Sequence, residues 1–365
     1  MSEAELLRRQ PARLIGSRLE RIRSEYFQNR TAAALTLLFG GLAAVLALKA
    51  FDWAFLSARW GDGDPEVCET VAGACWAFVW EKWSVILLGA FPREEMWRPF
   101  VGVGLVLCVL VTLGALRWPP RRSVLLLLAA FIALFSLLDG RPLGLEQVDM
   151  VRWHGIAVVT FLGVFSIFAG FPIGILLALA RFNGPPLLSW LAAGYIEVIR
   201  AVPLVTVLFF GVFVLPLLLP PSMKYEPLAV TLLALTLFHA AYFAEDVRSG
   251  LQSIPRGQWE AGEALGLGYT VRIRCIILPQ ALSVSIPSLT NTVIGGFKDT
   301  SLVAIVGIFD LLATTRMAYS DPAWQPYALE GLLVVGILYL IACSAISRHS
   351  QTMEQHVAGW MALRK

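Results

Sequence analysis

Long apolar runs separated by short polar segments dominate the chain. Runs long enough to cross a membrane occupy 31–50, 99–116, 123–138, 155–180, 203–219, 228–245, 281–297 with a continuation to 309, and 328–347. A bilayer core about 30 Å thick is crossed by about 20 apolar residues as a helix, and lipid offers no partner to an open backbone group. The pattern therefore predicts an all-α fold, a polytopic membrane helix bundle with about eight transmembrane helices. The run after Thr31 follows some 30 residues rich in arginine, so it reads as a retained anchor and not a cleaved signal. Residues 72–91 are apolar on both sides of Glu81 and Lys82. Each charge costs about 2.5–3.5 kcal/mol at mid-bilayer, so this stretch is not expected to cross.

Composition agrees, and charge adds the orientation. Of 365 residues 57% are hydrophobic and 15% charged, which excludes a disordered, coiled-coil or nucleic-acid-binding chain. The net charge of +3 is small, but the positive residues are unevenly placed. Eight spans put both termini on one side with 19 Lys and Arg: Arg8, Arg9, Arg13, Arg18, Arg21, Arg23, Arg30, Arg117, Arg121, Arg122, Arg181, Arg200, Arg248, Arg256, Arg272, Arg274, Arg348, Arg364 and Lys365. The opposite side has eight, Arg59, Lys82, Arg93, Arg98, Arg141, Arg152, Lys224 and Arg316. The positive-inside rule makes the first side cytoplasmic, and a ninth span at 72–91 would send the arginine-rich tail outside.

The outer loop 51–98 holds six of the twelve tryptophans, a residue that favours the membrane interface. Cys68 and Cys75 share that loop, on the face that is oxidising in a bacterium, as either a local disulfide or two free thiols. Cys108, Cys275 and Cys343 lie in or near spans and read as packing residues. Gly170 and Gly174 form a G-x-x-x-G that permits close helix packing. Catalytic and metal motifs are missing: His154, His239, His349 and His356 are scattered, and Gly262, Gly266 and Gly268 are followed by no Gly-Lys pair that could hold a phosphate.

The most informative segment is the cytoplasmic loop after the sixth span. Pro255 precedes a helix-like stretch with Glu260 and Glu263 expected in its early turns and Gly266 and Gly268 at its stop. Ala261, Gly262, Ala264 and Gly266 are small enough to let another surface approach, and Trp259 and Leu265 offer apolar anchors. Spacing alone fits equally a helix that packs under its own bundle.

Glu260-Ala261-Gly262, Gly266 and Ile276-Ile277-Leu278-Pro279 resemble the EAA loop of ABC importer permeases, E-A-A-x3-G-x9-I-x-L-P, with Gly262 at the usual alanine. Ala241 to Leu251, Ile254 to Gln258, Ile199 to Leu204 and Lys298 to Leu302 are similar to the polar amino-acid uptake branch. The N-terminal spans, with Gly73 to Ala77 and Trp97-Arg98-Pro99, resemble the AapM-type subunit of general L-amino-acid transporters.

The resemblance implies a tail at 1–30, then an extension at 31–150 with three spans and the Trp-rich periplasmic loop. A five-helix type I importer permease core follows at 151–347 with a coupling loop at 247–280, then a cytoplasmic tail at 348–365. It further implies a multi-pass protein of the bacterial inner membrane without its own ATPase site. ATP and Mg would be bound by two partner ATPase subunits, reached through Trp259, Glu260, Ala261, Gly262, Glu263, Ala264, Leu265 and Gly266. A second, unlike permease subunit and a periplasmic amino-acid-binding protein complete the expected partners, and an L-amino acid is the expected substrate.

Lys298, Asp299, Thr300 and Ser301 form a polar cluster at membrane depth after Gly295-Gly296, a pair that can kink a helix or bare its backbone. Ionisable groups there mark a substrate path or an internal ion pair. Lys298 and Asp299 point about 100° apart on a helix. Glu197 and Arg200, three residues apart, are further path candidates or an ion pair on one helix face. The competing function is an ion-gradient-driven secondary transporter of a small polar solute, using Lys298 and Asp299 as a relay; it predicts inverted repeats, which the sequence does not display.

Overall fold

A computed structural model of the protein describes residues 25–61, 63–115, 120–220 and 225–362. Most of the tail 1–30 lies outside them, as do Arg117, Lys224, Arg364 and Lys365. The described residues are helical, apart from turns and one isolated bridge between Arg59 and Cys75. Among the described residues six helices are long and apolar enough to cross a membrane, and two bent pairs raise the number to eight if each is one span.

Two compact units divide the chain, Met1–Ala77 and Phe78–Lys365. The first contains α1 (Arg30–Phe51), capped by the Asn29 side chain, which accepts the Ala32 N–H at 2.7 Å. None of its residues is buried. After it the chain folds into a small knot. Trp76 donates its indole N–H to Ala54 O at 2.7 Å and stacks on Trp60, and Cys68 and Cys75 are joined in a disulfide.

Helix α2 (Trp76–Leu88) leads into the second unit. Its 13 residues span about 20 Å at 1.5 Å per residue, too short for a crossing, as Glu81 and Lys82 foretold. Instead it is fastened by its C-terminal end. Thr314 donates to Ile86 O at 2.6 Å, and the Ala90 N–H donates to His154 Nδ1 at 3.1 Å. Burial holds that imidazole below its ordinary pKa, which keeps the acceptor nitrogen bare.

Helices α3 (Trp97–Ala115) and α4 (Pro120–Asp139) follow as an antiparallel pair. Arg98 is 0% exposed. Its Nε lies 2.7 Å from Glu95 and its Nη1 donates to Glu146 O at 2.7 Å, so the Trp97-Arg98-Pro99 motif tacks the start of α3 onto the loop after α4. Gly140, at φ +84°, makes room, since a Cβ there would sit 2.7 Å from Nη1.

The core begins with α5 (Gly155–Asn183), α6 (Pro186–Ala201) and α7 (Leu204–Leu218), and continues with α8 (Pro227–Ser253). The run at 203–219 reads as a free-standing span, but the structure makes it the second arm of a pair bent by 105°. Pro203 explains the corner. It forces Val202 out of the helical region, to φ −94° and ψ 135°. After α9 (Arg256–Ala264) comes α10 (Tyr269–Val284), then α11 (Ile286–Asp299), bent from α10 by 64°. The bend falls at Ser285, ahead of Pro287, and α11 runs unbroken through Gly295-Gly296, so of the two uses open to that glycine pair the kink is not the one taken. A 3-10 stretch (Thr300–Val306), α12 (Leu311–Ala318) and α13 (Ala328–Ala362) complete the chain.

Helices α5 and α8 pack backbone to backbone. A Cβ on Gly170 would lie 3.0 Å from Thr236 O, and one on Gly174 would lie 2.6 Å from Phe243 Cβ. Lipid gives helices no hydrophobic drive to associate, so dispersion across such close contacts holds them. Gly174→Leu is expected to destabilise the core by about 1–3 kcal/mol, the usual cost of overpacking. Gly104→Leu, where nothing lies within 4 Å, should be silent. Thermal melting of the purified protein checks both.

Candidate functional site

The loop between α8 and α10 begins at Ile254-Pro255 and is occupied by α9. Proline is suited to the entry of a helix, where a missing N–H costs nothing. The exit is a Schellman turn: Leu267 N–H bonds Gly262 O at 3.1 Å and Gly266 N–H bonds Glu263 O at 2.8 Å, with Gly266 at φ +69°. The glycine stop read from the sequence is therefore Gly266, while Gly268 precedes α10.

Glu260 lies in the second turn of the helix, which starts at Arg256, whereas Glu263, expected early as well, falls near its C-terminal end; the first turn has no acidic residue. Glu263 is instead 3.0 Å from the Arg272 guanidinium on α10. Trp259 as an outward anchor is also corrected: its ring stacks on Phe182, at the end of α5, with centroids 5.8 Å apart. Gly262 too faces inward and is buried. Its missing Cβ would lie 3.0 Å from Arg272 Cδ, so the glycine in place of alanine accommodates the arginine stem crossing it.

What α9 presents outward is Gly257, Glu260, Ala261, Ala264 and Leu265, all exposed, with Leu265 at 76%. These positions step by three and four, so they form one continuous helix face. Gly266 continues it, with nothing within 4 Å of where a Cβ would stand. The result is a small-residue face with one carboxylate and one apolar tip, held against its own bundle by Trp259 and Arg272.

Above α9, charged groups join three helices. Arg181 Nη2 on α5 is 2.8 Å from Glu197 on α6, and Arg181 Nη1 is 3.5 Å from Glu245 on α8. Arg200 Nη1 is 3.6 Å from the same Glu245, which Arg248 also pairs. The pairing of Glu197 with Arg200 along one helix is thus corrected. Each reaches across to another helix, and Arg200 also lies over the Tyr242 ring. Next to this group, Thr292 donates to Asp246 at 2.6 Å, tying α11 to α8.

At the end of α11, Lys298 is exposed and makes no ion pair within 4.0 Å among the described residues. Asp299 does not pair with it; its carboxylate is 3.5 Å from His239 Nε2 on α8. Thr300 donates to Phe297 O and Ser301 to Lys298 O, each closing the helix end. Beyond them a cavity of about 390 Å³ is lined by Ser301, Asp310 and Arg316 among apolar residues. Asp310 caps α12, accepting the N–H of Leu312 and Ala313, and burial pushes its carboxyl above the usual range. Sequence reading did not single out Phe182, Ser166, Asp310 or His239, each of whose roles depends on a distant partner.

Residues 170–353 match the model of the family described as "Binding-protein-dependent transport system inner membrane component". The chain is 37% identical over 340 residues to the inner membrane amino-acid ABC transporter permease protein YhdY of Escherichia coli (strain K12), covering 92% of this chain and 91% of that one. It is 32% identical to the glutamate/glutamine/aspartate/asparagine transport system permease protein BztC of Rhodobacter capsulatus, covering 92% of each. The probable glutamine ABC transporter permease protein GlnP of Bacillus subtilis (strain 168) is 32% identical over 202 residues, 55% of this chain and 91% of that one.

The crossing of Gly262 by Arg272 makes a stability prediction. Alanine at 262 gains about 1 kcal/mol of helix propensity, which the arginine stem should cancel. Gly262→Ala should therefore leave the melting temperature nearly unchanged in the natural chain and raise it in an Arg272→Ala background. An equal rise in both backgrounds would contradict the crossing.

Proposed function

The chain belongs to the family of binding-protein-dependent transport system inner membrane components, and we propose that within it this protein is the membrane permease subunit of an ATP-driven importer for L-amino acids. It is a transport subunit of an ABC importer, and ATP hydrolysis belongs to a separate subunit. The observation that carries the reading is α9: a short helix joined to α8 by the two residues Ile254-Pro255, presenting Glu260, Ala261, Ala264, Leu265 and Gly266 on one open face. A partner surface seated there would push on α9. Trp259 would pass the push to α5 through Phe182, and Pro255 would pass it to α8.

Several finer features complete the proposal. The α9 end of the bundle is cytoplasmic and the Trp-rich loop 51–98 is periplasmic, which the 19-to-8 asymmetry of positive residues and the paired Cys68 and Cys75 support. Both termini are then cytoplasmic. Two ATPase subunits, holding ATP and Mg, would dock on this permease and on a second, unlike permease of similar core. The AapM-type resemblance of the extension, 31–150, supports that pairing.

Amino acids as the cargo are supported by the names of the two relatives that align along nearly the full length. The path would pass Lys298, Asp299 and Ser301, whose unlike charges suit a zwitterion, while Glu197 and Arg200 belong to the charged group that gathers α5, α6 and α8. Membership of a binding-protein-dependent family stands against the ion-gradient alternative, for which no observation speaks.

Gly266→Asp places a side chain on the docking face at a positive φ that side chains adopt reluctantly. Uptake should drop to background while the protein still inserts and still assembles with its permease partner. The tagged natural chain should copurify with an ATPase subunit, and uptake should survive an uncoupler but stop on ATP depletion. Full uptake by the Gly266→Asp protein would sink the docking assignment.

A further inference from the structure

Among the buried titratable groups that the proposed coupling does not use, one faces an ionisable partner on another helix of the path. His239 is 2% exposed, near the middle of α8, and its surroundings are tight. On α5, a Cβ on Gly170 would lie 3.4 Å from His239 Cβ; on α11, one on Gly296 would lie 2.9 Å from Nε2. The second glycine of the Gly295-Gly296 pair is therefore small because this ring lies against it.

Hydrogen-bond accounting assigns the ring's protons. Ser166 on α5 has a single hydroxyl hydrogen, which it donates to Leu162 O at 2.6 Å. Its oxygen is then an acceptor, and His239 Nδ1, 3.2 Å away, must carry a hydrogen to bond it. Nε2 has no hydrogen-bond partner among the described residues, yet Asp299 Oδ2 stands 3.5 Å from it. With Nδ1 occupied, a neutral ring turns a bare, buried lone pair toward a carboxylate whose side chain is 31% exposed. The two facing acceptors repel, most strongly on the buried side of His239, and one further proton between them satisfies both.

We propose that His239 and Asp299 bind one proton jointly, at the junction of α8 and α11 where a buried ring meets a partly exposed carboxylate beside the transport path. The proton comes from water and is held either as imidazolium with carboxylate or as imidazole with carboxylic acid. Of the elements packed against the ring, α5 brings the neutral Ser166, and α11 brings Asp299 with the exposed Lys298 next to it in the chain. On α8 itself the adjacent ring is Phe238. Asp299 is thus the ionisable partner of His239.

The proton ties α8 to α11 and fixes the carboxylate of a path residue, so its loss should loosen both. This consequence for transport rests on the reading of the path given above; the proton site itself does not. His239 is a positioning residue, acting on cargo through Asp299.

The test uses the assembled transporter in lipid, with pH steps across about 5.5–8.5, the range in which imidazoles change charge. Infrared difference spectra should show imidazole and carboxyl bands changing together in the natural protein. Both changes should vanish in His239→Gln and in Asp299→Asn. Ser166→Ala, a mild change, frees the ring hydrogen to move to Nε2 and should shift the transition to lower pH. ATP-driven uptake should fall several-fold as the proton leaves, and His239→Gln should flatten that profile. An imidazole change that persists unaltered in Asp299→Asn, or a transition unmoved by Ser166→Ala, would overturn the shared proton. Spectra that behave as expected beside a flat uptake profile would uphold the proton site and remove Asp299 from the path instead.

Discussion

The glycine contact between α5 and α8 is the constraint on which the other features depend. At Gly170 and Gly174 the two backbones come together with no side chain between them. Helix α8 carries His239, Glu245, Asp246 and Arg248, and it runs by way of Pro255 into α9. Only a helix whose axis is held this closely can bring His239 within reach of Ser166 on one neighbour and Asp299 on another. In a membrane that hold comes from contact and not from the exclusion of water, so it is strict about shape.

Much of the architecture is legible in the sequence because lipid is an unforgiving solvent. A run of about 20 apolar residues has few alternatives to a crossing helix, and the straight spans fall where those runs lie. The bends are less visible. Pro203 opens an apolar run and so reads as its beginning, yet it is the corner between the two helices of a bent pair. Helix α9 is legible as a motif but not as an object with an inside and an outside. Spacing groups Trp259 with Gly262 and Glu260 with Ala264, but which group faces the bundle depends on Phe182 and Arg272. His239 gave no local signal at all, since Ser166 is 73 residues away in the chain.

The charged groups show how a bundle with sparse charge arranges what it has. Glu245 is approached by Arg181, Arg200 and Arg248, from α5, from α6 and from its own helix. A half-buried carboxylate facing three guanidiniums is a junction, and its removal would leave positive charges crowded with little to offset them. At the other end, Arg98 serves the extension in the same manner, fully buried and tied to Glu95 and to the backbone of Glu146. Both devices fix where a helix begins or ends, and neither needs to touch cargo.

The glycine at 262 carries an implication for how such chains diverge. Where the motif usually has alanine, this protein has glycine beneath the stem of Arg272, ten residues farther on. The two positions are coupled: an alanine at 262 loses its helix-propensity gain to the crowded arginine stem, and a shorter residue at 272 removes the reason for the glycine and leaves Glu263 without its cation. Among relatives the two sites should therefore change as a pair, glycine travelling with a long basic residue and alanine with a smaller one. One letter of the motif would then be set by the protein's own fold, while the letters that face outward are free of that constraint.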